Sequence, residues 1–372
     1  MARTWPVTRK KQIALGIFDA IAGPIAAVAS RDRKAPDRRA GNILVLELWH
    51  IGDVVIATSA LRCLRTMYPG AKLTLLAKEH ARELLDHSGL VDDIVSFDFP
   101  WTAMSNKYDL SRYERSGISA VVKELESRDF DISVDCRMDL RSNVLTRFIG
   151  ARRRVGYDFG GGSFLLTDTA PAPPASQHKV DDWRGLLALL GETSPRRMPE
   201  GVEPELTVTQ VEKQEAAQLL EASGIDPERL IVGVHPGGSH DAKRWAPDNF
   251  AEVAREMSRR HDAQVVIFVD PDGSGSDMQV HGAVLLRTSI REMMALFTHC
   301  DVLLCNDSGP MHIAAAVGTP VVAVFRTGDP EAYGPRGMGH IVVGSGAPWG
   351  ATSEVAIEDV LDAAEAAVAA VA

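Results

Sequence analysis

The sequence predicts an α/β protein with two doubly wound parallel-sheet domains that face a cleft. Three observations support this prediction. Apolar runs of strand length alternate with segments of helical periodicity, the alternation stops in one Pro-rich stretch, and it then resumes. The 372 residues favour two domains, and 45% of them are hydrophobic, which is sufficient for a core in each.

The first predicted domain begins with a strand–helix–strand unit. Two apolar strands are joined by a segment whose apolar residues follow the spacing of one helix face, so the strands run parallel. A Tyr-Pro-Gly sequence ends that helix. The strands predicted in this domain are Ile43–Leu48, Lys72–Ala77, Ile94–Phe97 and Ile132–Val134, with helices over residues 53–68 and Val180–Leu190.

The second predicted domain follows a Pro-rich linker near residues 193–206. Strand-like runs then resume, and Ser289–Glu292 forms a capping box that opens a helix ending near His299. The remaining elements are the strands "LIVGV", "QVVIFV", "VLL", "DVLLC" and "VVAVF", a helix over 248–260 and an Ala-rich terminal helix. The chain is thus divided into an extension (1–40), a first domain (41–200), a second domain (201–350) and a C-terminal helix (351–372).

Composition restricts the partners and the compartment. The formal net charge is −10, which gives no support for a nucleic-acid partner. The four cysteines contain no C-x-x-C pair, so buried thiols in a reducing cytosol are expected.

The N-terminal extension is basic and apolar. Arg9–Lys11 precede an apolar stretch over residues 13–29, which contains one aspartate and one proline and is shorter than the ~20 residues of a spanning helix. An Ala-Val-Ala sequence before Ser30 is similar to a signal-peptidase site, but the body of the chain predicts a cytosolic protein. Residues 9–40 are expected to form either an interfacial helix on a cytoplasmic leaflet or a helix docked on its own domain.

The sequence "NDSGPMH" interrupts two apolar runs where a strand passes into a helix, the edge at which ligands bind in parallel sheets. Gly309 allows a sharp turn, Pro310 suits the first helical position, and Asp307 or Ser308 can cap the helix. The helix start offers backbone N–H groups and a positive dipole end to an anion, with His312 in the first turn. The alternative is a capped helix that binds nothing.

A second motif, "HPGGSHDAKRW", follows another strand. Gly237 and Gly238 let the backbone approach a ligand, and Lys243 stands before a helix that a proline starts. A Gly-rich backbone with one lysine can hold a diphosphate without a metal. The alternative is a plain loop with a solvated lysine.

The third motif is "LWHIGDVV". Gly52 permits a tight turn, and the dipole of the following helix favours ionised Asp53, which can then accept a proton at neutral pH. Asp is equally a preferred residue at any helix start, whether or not it catalyses.

Other motifs predict less. "DGSGSDM" lacks the third glycine of a dinucleotide fingerprint, so a nicotinamide enzyme is not expected. Asp270 and Asp272 have the D-x-D spacing of some metal sites, but acidic pairs are common in polar loops and no metal is predicted. Arg137, Arg141 and Arg152–Asp158 make a basic cluster that either meets an anionic acceptor or is a solvated surface.

The three motifs, in this order, resemble those of the ADP-heptose:lipopolysaccharide heptosyltransferases, glycosyltransferase family 9. The stretch "NDSGPMHIAAAVGTPVV" is the most recognisable, and the similarity spans residues 42–345, weakly between 95 and 205. The resemblance implies a GT-B fold, with two Rossmann-like domains, the donor bound mainly by the second and the acceptor by the first.

The resemblance also implies an activity. This is a metal-independent, inverting transfer of a heptose-like sugar from a nucleoside-diphosphate sugar, ADP-heptose, to a saccharide such as lipopolysaccharide core. It implies no cofactor and a lipid-linked or other anionic saccharide as partner. A cytoplasmic location is expected, peripheral on the inner membrane if residues 9–40 lie on its cytoplasmic leaflet. Two alternatives are an epimerase-like GT-B enzyme and a non-catalytic protein that binds a nucleotide sugar.

The resemblance assigns roles to individual residues. Asp53 corresponds to the general base, and Lys243 to a cation that stabilises the diphosphate as the glycosidic bond breaks. Apart from the resemblance, His50 beside the presumed base and Arg137 and Arg141 of the basic cluster are the expected acceptor contacts. The residues expected to bind the donor are Gly52, Gly237, Gly238, Ser239, Thr288, Asp307, Ser308, Gly309, Pro310, Met311 and His312.

Two features depart from the family pattern. The first strand usually ends in a basic residue, whereas here it ends in Glu47–His50, so the acceptor can differ. The acidic residue expected at the donor ribose has no single match, because Asp270, Asp272 and Asp277 all compete, and the nucleotide stays open.

Overall fold

The computed structural model describes residues 40–103, 115–174, 177–191, 194, 196–344, 346 and 351–370. They form two compact units, each built on a six-stranded parallel sheet. The predicted extension (1–40), with its membrane contact through residues 9–40, lies outside the described residues apart from Ala40. None of the helices described is long and apolar enough to cross a bilayer.

The first unit comprises the described parts of residues 1–50, 57–82 and 89–202. Its strand order is β3-β2-β1-β4-β5-β6, so the chain reverses direction across the sheet between β1 and β4, and this is the topological switch point. The strands are β1 (Asn42–Glu47), β2 (Lys72–Ala77), β3 (Asp93–Ser96), β4 (Ile132–Asp135), β5 (Arg153–Tyr157) and β6 (Asp168–Ala170). The helices in this part of the chain are α1 (Ile51–Met67), α2 (His80–Leu85), α3 (Arg115–Glu126), α4 (Leu140–Ile149) and α5 (Lys179–Ala188).

The first sheet is held by strands that are apolar on both faces. β1 is buried from Ile43 to Glu47, and Leu44 and Leu46 pack with Leu125 of α3 in one cluster. Two buried faces are what a parallel sheet covered by helices requires. Asp139 caps α4 by accepting from the backbone N–H of Arg141, which fixes this helix directly after the carboxyl end of β4.

The second unit comprises Ile51–Ile56, Glu83–Ser88 and the chain from Glu203 onward. Its strand order is β12-β11-β10-β7-β8-β9, with the switch point between β10 and β7. The strands are β7 (Ile231–His235), β8 (Gln264–Phe268), β9 (Val284–Leu286), β10 (Val302–Asn306), β11 (Val321–Val324) and β12 (Ile341–Val343). The helices are α6 (Gln210–Ala222), α7 (Pro247–His261), α8 (Ile290–Phe297), α9 (Gly309–Ala316), α10 (Pro330–Tyr333) and α11 (Ile357–Ala369).

Local sequence explains the helix ends in the second unit. The predicted capping box is confirmed: Ser289 accepts from the N–H of Glu292, whose carboxylate accepts from the N–H of Ser289. Thr209 and Glu212 form a second capping box at the start of α6. The terminal helix α11 is part of the same core, because its buried face, including Val360 and Ala364, packs with residues of α7 and β11.

The predicted α/β class with parallel doubly wound sheets is confirmed. The interpretation of Arg152–Asp158 as a basic surface cluster is wrong, because most of it is the buried strand β5. Arg153 donates to Asp168 Oδ1 at 2.6 Å, and Arg154 donates to the carbonyl oxygens of Leu165 and Ala151. Both guanidinium groups are thus satisfied inside the unit.

Candidate functional site

The carboxyl ends of β7 and β10 meet at the switch point of the second sheet. Asn306, the fully buried last residue of β10, hydrogen-bonds the loop that follows β7 and so connects it to the loop that follows β10. Its Nδ2 donates to the carbonyl oxygens of Pro236 at 2.7 Å and Gly237 at 3.1 Å, and its Oδ1 accepts from Trp245 N at 2.9 Å. The Gly-rich loop is therefore fixed beside the residues that lead into α9. No role was predicted for Asn306 from the sequence, although this residue begins the "NDSGPMH" motif.

Lys243 forms an ion pair with Asp307. Lys243 lies in a short 3-10 turn after the Gly-rich loop, and its Nζ is 2.6 Å from Asp307 Oδ2, with 19% of the lysine side chain and 9% of the aspartate side chain exposed. Burial raises the pKa of Asp307 above its ordinary value, Lys243 counteracts that rise, and the charge of Asp53 adds to it. The ammonium group of Lys243 therefore lies next to the start of α9, where it pairs with the poorly solvated carboxylate of Asp307.

The start of α9 carries no side-chain cap. Ser308 has the N-cap backbone conformation, but its side chain accepts no capping hydrogen bond, and its buried Oγ has no partner. The expectation that Asp307 or Ser308 caps the helix is therefore wrong, since Asp307 bonds Lys243 instead. Pro310 is the second helical residue rather than the first, because α9 begins at Gly309. The first backbone N–H groups of α9 therefore donate to no side chain of the N-cap residue. An anion site at a helix start requires such uncapped N–H groups.

Two glycines allow close packing between α9 and the first turn of α1, Ile51–Ile56, which belongs to the second unit. A Cβ on Gly52 would lie 2.6 Å from His312 Cδ2, and a Cβ on Gly309 would lie 2.9 Å from Ile51 Cγ2. Separations below 3 Å force a shift, so both positions need glycine for this contact, whatever they bind.

Asp53 is the third residue of α1, in the first turn, as predicted. It is half-buried, and its negative charge is close enough to raise the pKa of Asp307. The structure therefore brings together, within the second unit, the residues predicted as base, cation and helix start: Gly52, Asp53, Lys243, Asp307, Gly309 and His312.

The Gly-rich loop packs against an aspartate that follows β8. A Cβ on Gly237 would lie 1.6 Å from Asp270 Oδ2, so no other residue fits at this position without rearrangement. The other oxygen of Asp270 is 3.0 Å from Nε2 of His235, whose ring is buried and whose Nδ1 has no partner. Gly238 lies nearby, with Arg244, Lys243 and Asn306 as its neighbours.

The other aspartates considered for the ribose lie differently. Asp272 Oδ2 accepts from Arg244 Nη2 at 2.7 Å, and Asp277 is exposed. Asp270 is therefore the one of the three that adjoins the Gly-rich loop. No group of three or more His, Cys, Asp or Glu side chains arranged to hold a metal ion occurs in the part of the chain that the structure describes.

The other residues predicted to bind the donor have fewer contacts that relate them to the Lys243–Asp307 pair. Ser239 is exposed, and Thr288 is half-buried directly before the α8 capping box. Met311 is fully buried in α9, so only its backbone can face a ligand.

The predicted acceptor residues lie at the carboxyl edge of the first sheet. The guanidinium carbon of Arg137 is 4.4 Å from the centre of the Trp49 ring, and the His50 ring packs edge-on to Trp49. Arg141 donates through Nε to Asp139 Oδ1 at 2.9 Å, which neutralises part of its charge. The structure thus brings His50 and Arg137 to one place through Trp49.

Residues 118–363, well over half of the chain, match the model of glycosyltransferase family 9 (heptosyltransferase). The chain belongs to this family. It is 23% identical, over 79% of its length and 81% of the relative, to the lipopolysaccharide core heptosyltransferase OpsX of Haemophilus influenzae. Membership in a family of glycosyltransferases makes this protein an enzyme of that class.

Solved structures agree with the fold. A family 9 glycosyltransferase from Veillonella parvula superposes with a TM-score of 0.73, at 21% identity, covering 91% of this chain and all of the other. The ADP-heptose lipopolysaccharide heptosyltransferase II of Escherichia coli gives a TM-score of 0.70, also at 21% identity, covering 88% and 99%. The expected GT-B fold, with two Rossmann-like sheets, is confirmed.

Proposed function

We propose that this family 9 enzyme transfers a heptose from ADP-heptose to a saccharide acceptor of the lipopolysaccharide core type, with inversion and without a metal. The family and the functions named for its relatives support the reaction class. The observation that carries the proposal is the Lys243–Asp307 pair beside the uncapped start of α9. A lysine and free helix N–H groups together suit a diphosphate.

In the proposed reaction, the donor diphosphate lies at the start of α9 and takes Lys243 as its counter-ion. Lys243 and the backbone around Gly309 then stabilise the negative charge that develops as the bond to the sugar breaks. Asp53 removes the proton from the acceptor hydroxyl, which attacks the anomeric carbon from the face opposite the diphosphate. The effect of the Asp53 charge on Asp307 supports this role, because it shows that the proposed base lies in the same site as Lys243, the cation proposed to bind the diphosphate.

The rest of the donor is assigned to the loops at the same edge. Gly52, Gly237, Gly238, Ser239, Thr288, Ser308, Pro310, His312 and the Met311 backbone are proposed donor contacts. Asp270 is the proposed partner of the ribose hydroxyls, because it adjoins the Gly-rich loop. His50, Arg137 and Arg141 are proposed for the acceptor.

The donor sets the expected location. Nucleotide sugars are made in the cytoplasm, so we expect the enzyme to act there, at the cytoplasmic face of the inner membrane if its acceptor is lipid-linked. A lipid-linked saccharide is the proposed second substrate. Family membership favours transfer over the epimerase and the non-catalytic alternatives.

A thermal-shift screen of nucleotide sugars tests the donor assignment, because a ligand that binds the native state raises Tm by mass action. ADP and ADP-heptose should raise Tm of the wild-type protein, and the shift should shrink in Lys243→Ala. EDTA should leave both the shift and the transfer rate unchanged. Stabilisation by uridine sugars in place of adenosine ones would reject ADP-heptose, and loss of transfer in EDTA would reject the metal-independent reaction.

A further inference from the structure

The carboxyl edge of the first sheet holds polar groups that the proposed reaction does not yet use. β1 and β4, which flank the switch point, end in Glu47 and Asp135, 3% and 2% exposed. Both side chains point beyond the carboxyl ends of their strands, because each carboxylate accepts a hydrogen bond from the backbone N–H two residues later in the chain. Glu47 Oε1 is 3.3 Å from Trp49 N, and Asp135 Oδ1 is 2.9 Å from Arg137 N.

The two loops also contact each other, since the Arg137 guanidinium stacks on the Trp49 ring. The buried atoms of this arrangement that have no hydrogen-bond partner include an acceptor, Oδ2 of Asp135, and a donor, Nε1 of Trp49. Leaving such a buried group unpaired is unfavourable, so a ligand that pairs both atoms gains affinity. A hydroxyl group both donates and accepts, and therefore complements these two atoms.

The charges around Asp135 argue against an anionic ligand. Burial raises the pKa of Asp135 to about 7, and the charge of Asp139 adds to this rise. The backbone N–H of Arg137, the charge of Arg137 and a hydrogen bond from the Ser142 hydroxyl of α4 lower the pKa. The neighbouring Cys136 thiol has its pKa raised well above the ordinary value by burial, and it experiences the charges of Glu47, Asp135 and the Lys179–Asp182 pair of α5. The charged groups that act on Asp135 are Arg137 and Asp139, and Arg141 pairs with Asp139. Glu47, Lys179 and Asp182 act on Cys136 instead. Two carboxylates are thus matched by two guanidinium groups, and no net positive charge remains here for an anion.

We propose that Asp135 and Trp49 form a subsite for the hydroxyl groups of a neutral sugar in the acceptor. The inference rests on the proposed transferase function, and it adds two specificity-determining residues and the charge class of the acceptor sugar. The position agrees with the rule that ligands bind beyond the carboxyl ends of the strands at a switch point. Because both unpaired atoms are covered in the free protein, the side chains over them have to move when the sugar binds.

Three variants test the subsite. Asp135→Asn replaces one acceptor oxygen by a donor, and Trp49→Phe removes the indole N–H while keeping an aromatic ring for Arg137. Asp131→Asn is the matched control, because Asp131 caps the opposite end of β4 by accepting from Gly41 N at 2.7 Å. KM for the acceptor, kcat, and the Kd of ADP are measured for each, with deacylated core oligosaccharides ending in a neutral heptose or in an acidic sugar.

Asp135→Asn and Trp49→Phe should each raise KM for the neutral oligosaccharide at least about fivefold, with kcat and the Kd of ADP within about twofold of wild type. The wild type should prefer the neutral over the acidic oligosaccharide. Its KM should rise as the pH falls from 8 to 6, because protonation removes the acceptor oxygen of Asp135, whereas KM of Asp135→Asn should not change. Asp131→Asn should keep the wild-type KM even if its Tm falls.

An unchanged KM in both variants, or a preference for the acidic oligosaccharide, overturns the subsite while leaving the transferase proposal intact. If the wild type transfers heptose to neither oligosaccharide, the transferase proposal fails. The subsite is then decided by saturation-transfer NMR with the neutral oligosaccharide. Signals that are present for the wild type and Asp131→Asn and clearly weaker for Trp49→Phe support it, and any other pattern rejects it.

Discussion

Replacing Lys243 by alanine removes the cation that lies 2.6 Å from Asp307 Oδ2 and leaves a carboxylate that is 9% exposed without its lysine. Breaking a buried ion pair from one side costs about 3–5 kcal/mol. Since 19% of the Lys243 side chain is exposed, water compensates in part, and a loss at or below the lower end of that range, about 2–3 kcal/mol in the free energy of unfolding, is expected at pH 8.

The loss should depend on pH with a definite sign. The folded-state pKa of Asp307 is already raised, and losing Lys243 raises it further, so folding takes up a proton. The loss in the free energy of unfolding is therefore absent below the pKa that Asp307 has in the unfolded state. It grows as the pH rises through the pKa that Asp307 has in the folded state. Lys243→Ala should be closer to wild type at pH 5 than at pH 8. The double variant with Asp307→Asn should recover stability at pH 8, since no buried charge remains.

Donor affinity should fall independently. A hydrogen bond to a charged group contributes about 1.5–3 kcal/mol, so Lys243→Ala should bind ADP about ten- to 150-fold more weakly. Urea unfolding and titration calorimetry measure the two effects, and Lys123→Ala, at an exposed site on α3, is the control. Wild-type stability of Lys243→Ala at pH 8, or no recovery in the double variant, would refute the ion-pair reasoning. An unchanged Kd for ADP would refute the role in donor binding.

Further predictions concern the residues around this pair. Asp53→Asn should lower kcat about 10²–10⁴-fold while the Kd of ADP stays within a few-fold, and residual transfer near the wild-type rate would exclude Asp53 as the base. Gly52→Ala places a Cβ 2.6 Å from His312 Cδ2 and should lower kcat/KM at least about tenfold, measured by transfer assay; unaltered kinetics would mean that the contact is dispensable. Gly237→Ala places a Cβ 1.6 Å from Asp270 Oδ2 and should lower the free energy of unfolding by about 1–3 kcal/mol, a loss that Asp270→Ala should partly reverse in urea denaturation. An additive effect of those two substitutions would contradict the predicted clash.

The sequence predicts most of the sheets because their strands are apolar on both faces, and Lys72–Ala77 is predicted with its observed bounds. The prediction fails at β5, where two arginines argue against a buried strand. Arg153 and Arg154 are nevertheless buried, because Asp168 and two carbonyl oxygens satisfy them. Such pairing depends on segments distant in the chain, which hydrophobic periodicity does not register.

The candidate site shows the same limit. The motifs place Lys243 and Asp307 after adjacent strands, but their ion pair joins residues far apart in sequence and appears only in the structure. That pairing is also why the predicted cap fails, since Asp307 is occupied. Asp135 was missed because the predicted strand stopped at Val134, one residue before the buried carboxylate.

The most direct test of the account is to incubate the protein with ADP-heptose and a core oligosaccharide and to analyse the product by mass spectrometry and NMR. The account predicts an oligosaccharide heavier by one heptose, release of one ADP per transfer, and an anomeric configuration opposite to that of the donor. Free heptose with no new linkage, or a linkage with the donor's configuration, would contradict it.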